Sequence, residues 1–240
     1  MTGAQIFENI RIICGRISHA AIRAGRRPED IKLIAVTKTT GIQQIKEAIG
    51  AGLRIFGESK VQEAREKVQN SRCKIQDADI QWHLIGHLQK NKAKTAVELF
   101  DIIHSVDSLE LAEAIHKHAE KAGKIQKILL QVKLSDEISK YGILKDNLSE
   151  TIKKISEMKN LSIRGLMTIP PFFENPENAR PYFSELRTLR DTAEMMGFNL
   201  PELSMGMTND FEVAIEEGAT MVRIGTAIFG ERKYCHKEAQ

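Results

Sequence analysis

The chain is poor in the residues that mark specialised protein classes. Its 240 residues include three cysteines, six prolines and 5% aromatic residues, and the formal net charge at pH 7 is +3. Cys14, Cys73 and Cys235 lie far apart, which predicts neither a disulfide framework nor a metal site built on cysteine. The basic residues are spread along the chain, so no nucleic-acid partner is expected.

Long apolar runs are also missing. No run approaches the length needed to cross a bilayer, and residues 1–11 lack the apolar centre of a signal peptide. The chain contains 42% hydrophobic and 28% charged residues, a composition typical of soluble globular domains. These absences predict a cytoplasmic protein that does not associate with membranes.

Strand-like and helix-like segments alternate along the chain. Apolar residues at helical spacing predict an N-terminal helix over residues 5–24, and Gly25 ends it. Alternation of strands and helices predicts parallel strands joined by right-handed crossovers. The predicted strands cover residues 31–37, 54–56, 81–85, 101–105, 125–133, 162–167, 202–205 and 220–224. Eight such units favour one closed (β/α)8 barrel over residues 1–240, with an open doubly wound sheet as the alternative.

Two spacings predict where helices begin. Ser59 and Gln62, like Asp107 and Glu110, have the spacing of a capping box. Helices are therefore expected to begin directly after Ser59 and Asp107. For Ser59 the cap is one interpretation, and contact with a ligand at the end of the second strand is the other.

The predicted strand ends carry the residues with chemical potential, because functional groups of (β/α)8 barrels gather at the C-terminal ends of the strands. The first strand ends at Lys38 and the third carries His83. Barrel closure would place the eighth strand beside the first, so that Lys38 and Arg223 project into one mouth. His83 and His87 have i, i+4 spacing, but on a predicted strand and turn this spacing predicts no metal site.

The loops after the seventh and eighth strands predict a phosphate site, which these loops often form in such barrels. Gly206 and Gly225 would let the backbone approach a phosphate closely. Ser204 and Thr226 supply hydroxyl groups, and Met205 lies in the same loop. A lysine near a phosphate anchor points to a Schiff base with pyridoxal 5′-phosphate (PLP), or to an aldolase acting on a sugar phosphate.

Several ordered motifs between residues 31 and 230 resemble the pyridoxal phosphate homeostasis protein family, whose barrel is similar to the N-terminal domain of alanine racemase. The motifs are residues 35–39 (AVTKT), 56–59 (FGES), 83–92 (HLIGHLQKNK), 135–142 (SDEISKYG), 165–170 (GLMTIP), 204–207 (SMGM) and 221–230 (MVRIGTAIFG).

The resemblance implies a role for each strand-end residue. Lys38 would hold PLP as a Schiff base, and Arg223 would face the pyridine nitrogen. Met167 would lie against the ring, and His83 would lie on its strand beside the cofactor. The phosphate-holding loops would be those of Ser204 to Gly206 and of Gly225 and Thr226. Ser59 stands where the family usually has Asn, and His87 where it usually has Pro. The resemblance therefore gives less support to a contact from Ser59 to the cofactor than to the other contacts.

Two functions from different classes follow from these features. The first is a non-catalytic protein that buffers PLP or delivers it, with apo PLP-dependent enzymes as partners. The second is an amino-acid racemase or decarboxylase, which in related barrels needs an additional β domain. Only ten residues follow Gly230, which favours the first function and a monomer with no catalytic residues of its own. A permanently charged Arg223 beside the pyridine nitrogen also disfavours carbanion chemistry.

Overall fold

Helix α1 (Gly3–Arg23) opens the chain and packs on the outside of a barrel. The computed structural model describes residues 2–74, 79–135 and 141–230. One face of α1 is buried, as the helical spacing of its isoleucines predicted. The buried isoleucines are Ile6, Ile10, Ile13 and Ile17. Cys14 lies on the same helix and is exposed, whereas Cys73 and Cys235 have no described side chain.

Apart from the short strand Ile143–Leu144, which follows another strand in the order of elements, strands and helices alternate through the rest of the described chain. The strands are β1 (Lys32–Val36), β2 (Ile55–Glu58), β3 (Gln81–Leu84), β4 (Ile102–Val106), β5 (Gln126–Lys133), β6 (Ile143–Leu144), β7 (Leu161–Met167), β8 (Glu202–Met207) and β9 (Met221–Ile224). The helices after α1 are α2 (Ile42–Gly50), α3 (Val61–Lys74), α4 (Ala93–Leu99), α5 (Leu109–Lys121), α6 (Leu148–Ser156), α7 (Arg180–Met195), α8 (Phe211–Glu216) and α9 (Thr226–Phe229).

Eight of these strands form a closed parallel ring. β1 pairs with both β2 and β9, and the pairing of β4 with β5 closes the circuit. The predicted (β/α)8 barrel with an extra N-terminal helix is therefore confirmed, and the open sheet is wrong. β6 has only two residues, pairs with β5 outside the ring and was not predicted, because so short a strand carries no periodicity.

Both predicted helix starts are off by one residue. α5 begins at Leu109, and the hydroxyl of Ser108, rather than Asp107, accepts the hydrogen bond from the Leu111 amide at 3.3 Å. α3 begins at Val61, so the residue directly before it is Lys60 rather than Ser59. Capping-box spacing alone does not fix the register, because neighbouring polar residues at a strand end can each serve as the cap.

Apolar side chains fill two layers. The larger layer lies between the strands and the surrounding helices, and it includes the buried face of α1. A smaller inner cluster lies inside the barrel and consists of Ile34, Ile102, Leu129, Met167 and Met221. The inward positions next to this inner cluster are polar, and they connect it to the barrel mouth. In the parts of the chain described, no helix combines the length and the apolar character needed to span a membrane.

Candidate functional site

A cavity of about 320 Å³ opens at the C-terminal mouth of the barrel. It brings together the ends of β1, β2, β3, β7, β8 and β9, and β1 lies beside β9 as barrel closure predicted. Its lining residues are Val36, Lys38, Ser59, Ile85, Ile169, Pro171, Phe172, Met207, Thr208, Asn209, Asp210, Arg223, Gly225 and Thr226. Five residues predicted for a cofactor site, Lys38, Ser59, Arg223, Gly225 and Thr226, therefore share this cavity.

The other predicted residues lie outside this lining. Met205 is fully buried in the layer between β8 and the helices, and Met167 is fully buried in the inner cluster. His83 and Ser204 are also fully buried, inside the barrel. Strand alternation explains why Ser204 lies inside the barrel and Met205 outside it, because successive side chains of β8 point to opposite faces of the barrel wall. The binding roles of these residues remain predictions.

Gly206 allows the turn that carries β8 into the cavity lining. Its φ is +90°, and a Cβ at this position would lie 2.6 Å from the Cβ of Ala214 and 2.9 Å from the Cα of Phe211. A side chain here would therefore meet both strain and collision. Asp210, in the following turn, is buried and accepts a hydrogen bond from the Met207 amide at 2.6 Å. This bond fixes residues 207–210 as one wall of the cavity.

Gly225 and α9 form the neighbouring wall. A Cβ on Gly225 would lie 3.1 Å from the backbone oxygen of Val36, so the last residue before α9 packs tightly on β1. Helix α9 starts at Thr226, which is exposed and lines the cavity. The first amide groups of a helix have no partner within the helix and can bind an anion.

A chain of hydrogen bonds, the Arg223 network, runs from the cavity into the barrel. Nη1 of Arg223 donates to Oγ of Ser204 at 2.7 Å, and Nη2 donates to the backbone oxygen of Thr168 at 2.9 Å. The Ser204 hydroxyl lies 2.9 Å from Nδ1 of His104. Nε2 of His104 in turn lies 3.0 Å from Nδ1 of His83. Four side chains from four different strands are thus linked in series.

The guanidinium sets the direction of this network, since arginine only donates. When Ser204 donates its hydroxyl hydrogen to Nδ1 of His104, His104 donates from Nε2 to His83. Each link of the series then has one donor and one acceptor, and the hydrogen on Nε2 of His83 is buried with no partner in the part of the chain that the structure describes. In the opposite arrangement His83 donates to His104 and His104 donates to Ser204. The Ser204 hydrogen then has no acceptor among the hydrogen bonds described for this side chain. In the first arrangement the Ser204 hydroxyl donates toward the inside of the barrel.

Burial controls the charges along the network. Desolvation lowers the pKa of His83 to about 3, with help from the charges of Lys32 and Lys127. Burial, followed by the nearby His83 and Arg223, also lowers the pKa of His104 well below its ordinary value. Both imidazoles are therefore neutral at pH 7. Burial lowers the pKa of Arg223 to about 10, against the opposing charge of Asp210, so this side chain remains a cation.

Sequence reasoning missed His104 and Asp210. His104 lies within the predicted strand 101–105 and within β4, so the rule that placed Lys38 and Arg223 at strand ends did not reach it. Asp210 carried no comparable signal, because it reaches the cavity only through the turn that Gly206 allows. No group of three His, Cys, Asp or Glu side chains in the described ranges is arranged to hold a metal ion.

A second, smaller cavity adjoins the first across Ile85 and Ile169 and measures about 160 Å³. At its edge the His87 ring stacks on the Tyr141 ring, with centroids 3.7 Å apart and planes at 13°. Nδ1 of His87 also lies 3.1 Å from a carboxylate oxygen of Asp107. His87 thus faces the mouth, whereas His83 lies inside the barrel.

Known proteins share both the sequence and this architecture. The family model for the N-terminal domain of alanine racemase matches residues 14–233. A pyridoxal phosphate homeostasis protein of Aquifex aeolicus is 45% identical over 228 residues, which cover 95% of this chain and 98% of that protein. The chain belongs to the pyridoxal phosphate homeostasis protein family. The resemblance read from the motifs is confirmed.

Solved structures agree with membership of the homeostasis protein family. PipY of Synechococcus elongatus, whose structure was solved with PLP bound, is 39% identical with a TM-score of 0.81. The match covers 94% of this chain and 100% of PipY. An alanine racemase of Clostridium difficile is 15% identical with a TM-score of 0.73, over 95% of this chain and 58% of the racemase. This last likeness establishes a shared fold only.

Proposed function

We propose that this chain binds PLP in the mouth cavity and serves PLP homeostasis, buffering the cofactor or delivering it to apoenzymes. The observation that carries the proposal is the arrangement of Lys38, Arg223 and the start of α9 around one cavity. The donor set fits the cofactor, since it offers an amine for the aldehyde, a cation for the ring nitrogen and amide groups for the phosphate. PipY, solved with PLP bound, adds support from within the family.

In this proposal each lining residue has one task. Lys38, which is half-buried, holds the cofactor covalently through Nζ as a Schiff base. Arg223 faces the pyridine nitrogen, and the backbone around Gly206, Gly225 and Thr226 holds the phosphate. Ser59 contacts the bound group from the end of β2. We place the hydroxyl of Ser204 behind Arg223 rather than on the phosphate, because its oxygen accepts from Arg223 and lies 2.9 Å from Nδ1 of His104.

The proposed role is carriage rather than catalysis. PLP bound to an enzyme supplies an electron sink for carbanions, and a protonated ring nitrogen strengthens that sink. Arg223 is a cation that opposes such protonation. His83 and His104, the histidines inside the barrel, are neutral, buried and bonded to each other, so neither is available as an acid or base in the cavity. We further propose that the protein is a cytoplasmic monomer in which residues 1–240 form one domain.

The site assignment is tested by mapping the covalent adduct. Purified protein is mixed with PLP, reduced with borohydride, digested and analysed by mass spectrometry. The adduct is expected on Lys38 and is expected to be lost in Lys38→Ala. Lys60→Ala is the matched control, since Lys60 is an exposed lysine two residues beyond the end of β2. An adduct that persists in Lys38→Ala would show that the site is assigned to the wrong lysine.

Carriage and catalysis are separated by a second pair of measurements. Loaded protein is mixed with an apo PLP-dependent enzyme, and recovery of that enzyme's activity is expected. Loaded protein is also incubated with a panel of amino acids while chiral inversion, carbon dioxide release and keto-acid formation are followed. Steady turnover at about one per second or faster would restore the racemase or decarboxylase function. Light scattering on the same sample measures the oligomeric state.

A further inference from the structure

Three charged side chains form a cluster behind Lys38, on the side away from the Arg223 network. Glu58 ends β2, and Glu63 and Lys67 lie on α3. Nζ of Lys67 lies 2.8 Å from Oε1 of Glu58 and 2.7 Å from Oε1 of Glu63. The Lys67 side chain is only 11% exposed and the Glu58 side chain is fully buried. We call these three residues the Glu58–Lys67–Glu63 cluster.

The cluster holds the residue before Lys38. Nζ of Lys67 donates a hydrogen bond to the backbone oxygen of Thr37 at 2.6 Å. The Thr37 hydroxyl donates to the Glu58 carboxylate, and Thr37 is fully buried. Both the backbone and the side chain of Thr37 are therefore fixed by the cluster.

The cluster also holds the residue after Lys38. The Thr39 amide donates to Oε1 of Glu63 at 2.6 Å. Thr39 has φ +64°, and among the described residues it is the only one other than glycine with positive φ. This conformation is unfavourable for a β-branched residue and persists only where its surroundings enforce it. The Thr40 amide donates back to the Thr37 oxygen at 2.9 Å, so residues 37–40 form a tight turn with Lys38 inside it.

We propose that Glu58, Glu63 and Lys67 are positioning residues for Lys38, which hold the strained turn of residues 37–40 so that the lysine amine points into the cavity. The proposal rests on the assignment of Lys38 as the residue that bonds PLP. Its physical basis is that attack on an aldehyde depends steeply on the placement of the amine. Lys38 has a long, flexible side chain, so fixing the backbone on both sides reduces the space that the amine must search.

The charge state of Glu63 is consistent with this task. Burial acts to raise the pKa of Glu63. The hydrogen bonds from Lys67 and the Thr39 amide, together with the charges of Lys67 and Lys38, outweigh burial and lower that pKa. The carboxylate is therefore an ionised acceptor for the Thr39 amide at neutral pH. Charge-assisted hydrogen bonds of this kind are stronger than neutral ones.

The test uses Glu63, because its side chain is 28% exposed and its loss leaves the Glu58–Lys67 pair in place. Apo protein is mixed with PLP, reduced with borohydride at timed intervals, and the adduct on Lys38 is quantified. Glu63→Ala is expected to slow adduct formation roughly tenfold. Glu110→Ala is the matched control, since Glu110 is an exposed glutamate in the first turn of α5, and it is expected to leave the rate unchanged.

Rescue separates positioning from a simple loss of charge. Glycine adopts positive φ freely, so Thr39→Gly is expected to return the Glu63→Ala protein to within about threefold of the wild-type rate. Hydrogen exchange of the Thr39 amide, measured without PLP, is expected to accelerate in Glu63→Ala. A Glu63→Ala rate equal to the wild type, or a slow rate that Thr39→Gly does not restore, would overturn the positioning role alone. A wild-type protein with no adduct on Lys38 would overturn the proposed function itself.

Discussion

Lys38 and Arg223 face the same cavity but are held in opposite ways. Arg223 is supported from inside the barrel by a series of neutral groups, Ser204, His104 and His83. Lys38 is supported from outside the ring by the charged Glu58–Lys67–Glu63 cluster, which grips the backbone on both sides of it. One cation is therefore held through its side chain, and the other through its main chain.

Solvent access explains the difference. Inside a closed ring of strands, desolvation penalises added charge, so the histidines beside Arg223 are kept neutral. Behind β2 the cluster reaches the surface through Glu63, where hydrogen bonding and ion pairing outweigh burial and lower the pKa, whereas burial raises the pKa of the enclosed Glu58. A lysine that must bond and release a ligand has to keep its amine unoccupied. Support through the backbone provides this, whereas support through the side chain would not.

The largest expected effect tests the charged cluster. Lys67→Met would leave the fully buried carboxylate of Glu58 without its cation. Removing one partner of a buried ion pair costs about 3–5 kcal/mol, and the free energy of unfolding measured in urea is expected to fall by that amount. Arg65→Met, on the exposed face of the same helix, is expected to change it by no more than about 0.5 kcal/mol. An equal loss of unfolding free energy in the two variants would mean that the buried ion pair does not stabilise the fold.

An intermediate effect tests the neutral network through pH. The pKa of His83 is about 3 in the folded chain, against an ordinary value of 6.5. Between these two values the unfolded chain holds a proton on His83 that the folded chain lacks. The contribution of neutral His83 to the free energy of unfolding is therefore complete above pH 6.5 and is lost as the pH falls toward about 3.

The variant for this test is His83→Asn, which keeps an acceptor for Nε2 of His104 but cannot titrate. The slope of unfolding free energy against pH between 6 and 4 is expected to decrease by up to about 1.4 kcal/mol per pH unit. His19→Asn makes the same substitution at an exposed position on α1. If His83→Asn and the wild type have the same slope, His83 is not kept neutral by burial.

The smallest expected effect distinguishes two roles for Ser204. The sequence predicts its hydroxyl as part of a phosphate site, and in the structure that hydroxyl lies within hydrogen-bond distance of Arg223 and His104. Ser204→Ala is therefore expected to cost about 1 kcal/mol of stability and to change the dissociation constant for PLP by less than about threefold. Fluorescence titration with PLP measures the latter. A loss of affinity of a hundredfold with unchanged stability would restore Ser204 as a phosphate ligand.

Much of the fold followed from local pattern. The alternation of strands and helices placed all eight barrel strands, because hydrophobic periodicity and length are properties of neighbouring residues. Helix starts were missed by one residue at Ser59 and Asp107, because a cap depends on backbone angles that spacing does not specify. The two-residue strand β6 was missed because pairing with β5, and not its own composition, makes it a strand.

The sequence by itself determined that Lys38, Arg223 and two glycines stand at the ends of strands, because each of these positions is set by its own segment. Only the tertiary structure decided which of the predicted residues share the cavity and which are enclosed in the barrel. His104 and Ser204 are 100 positions apart in the chain, yet their side chains lie within hydrogen-bond distance once the ring closes. The stagger of the strands sets that meeting, because it fixes which inward side chains lie at the same height, and no local pattern encodes it.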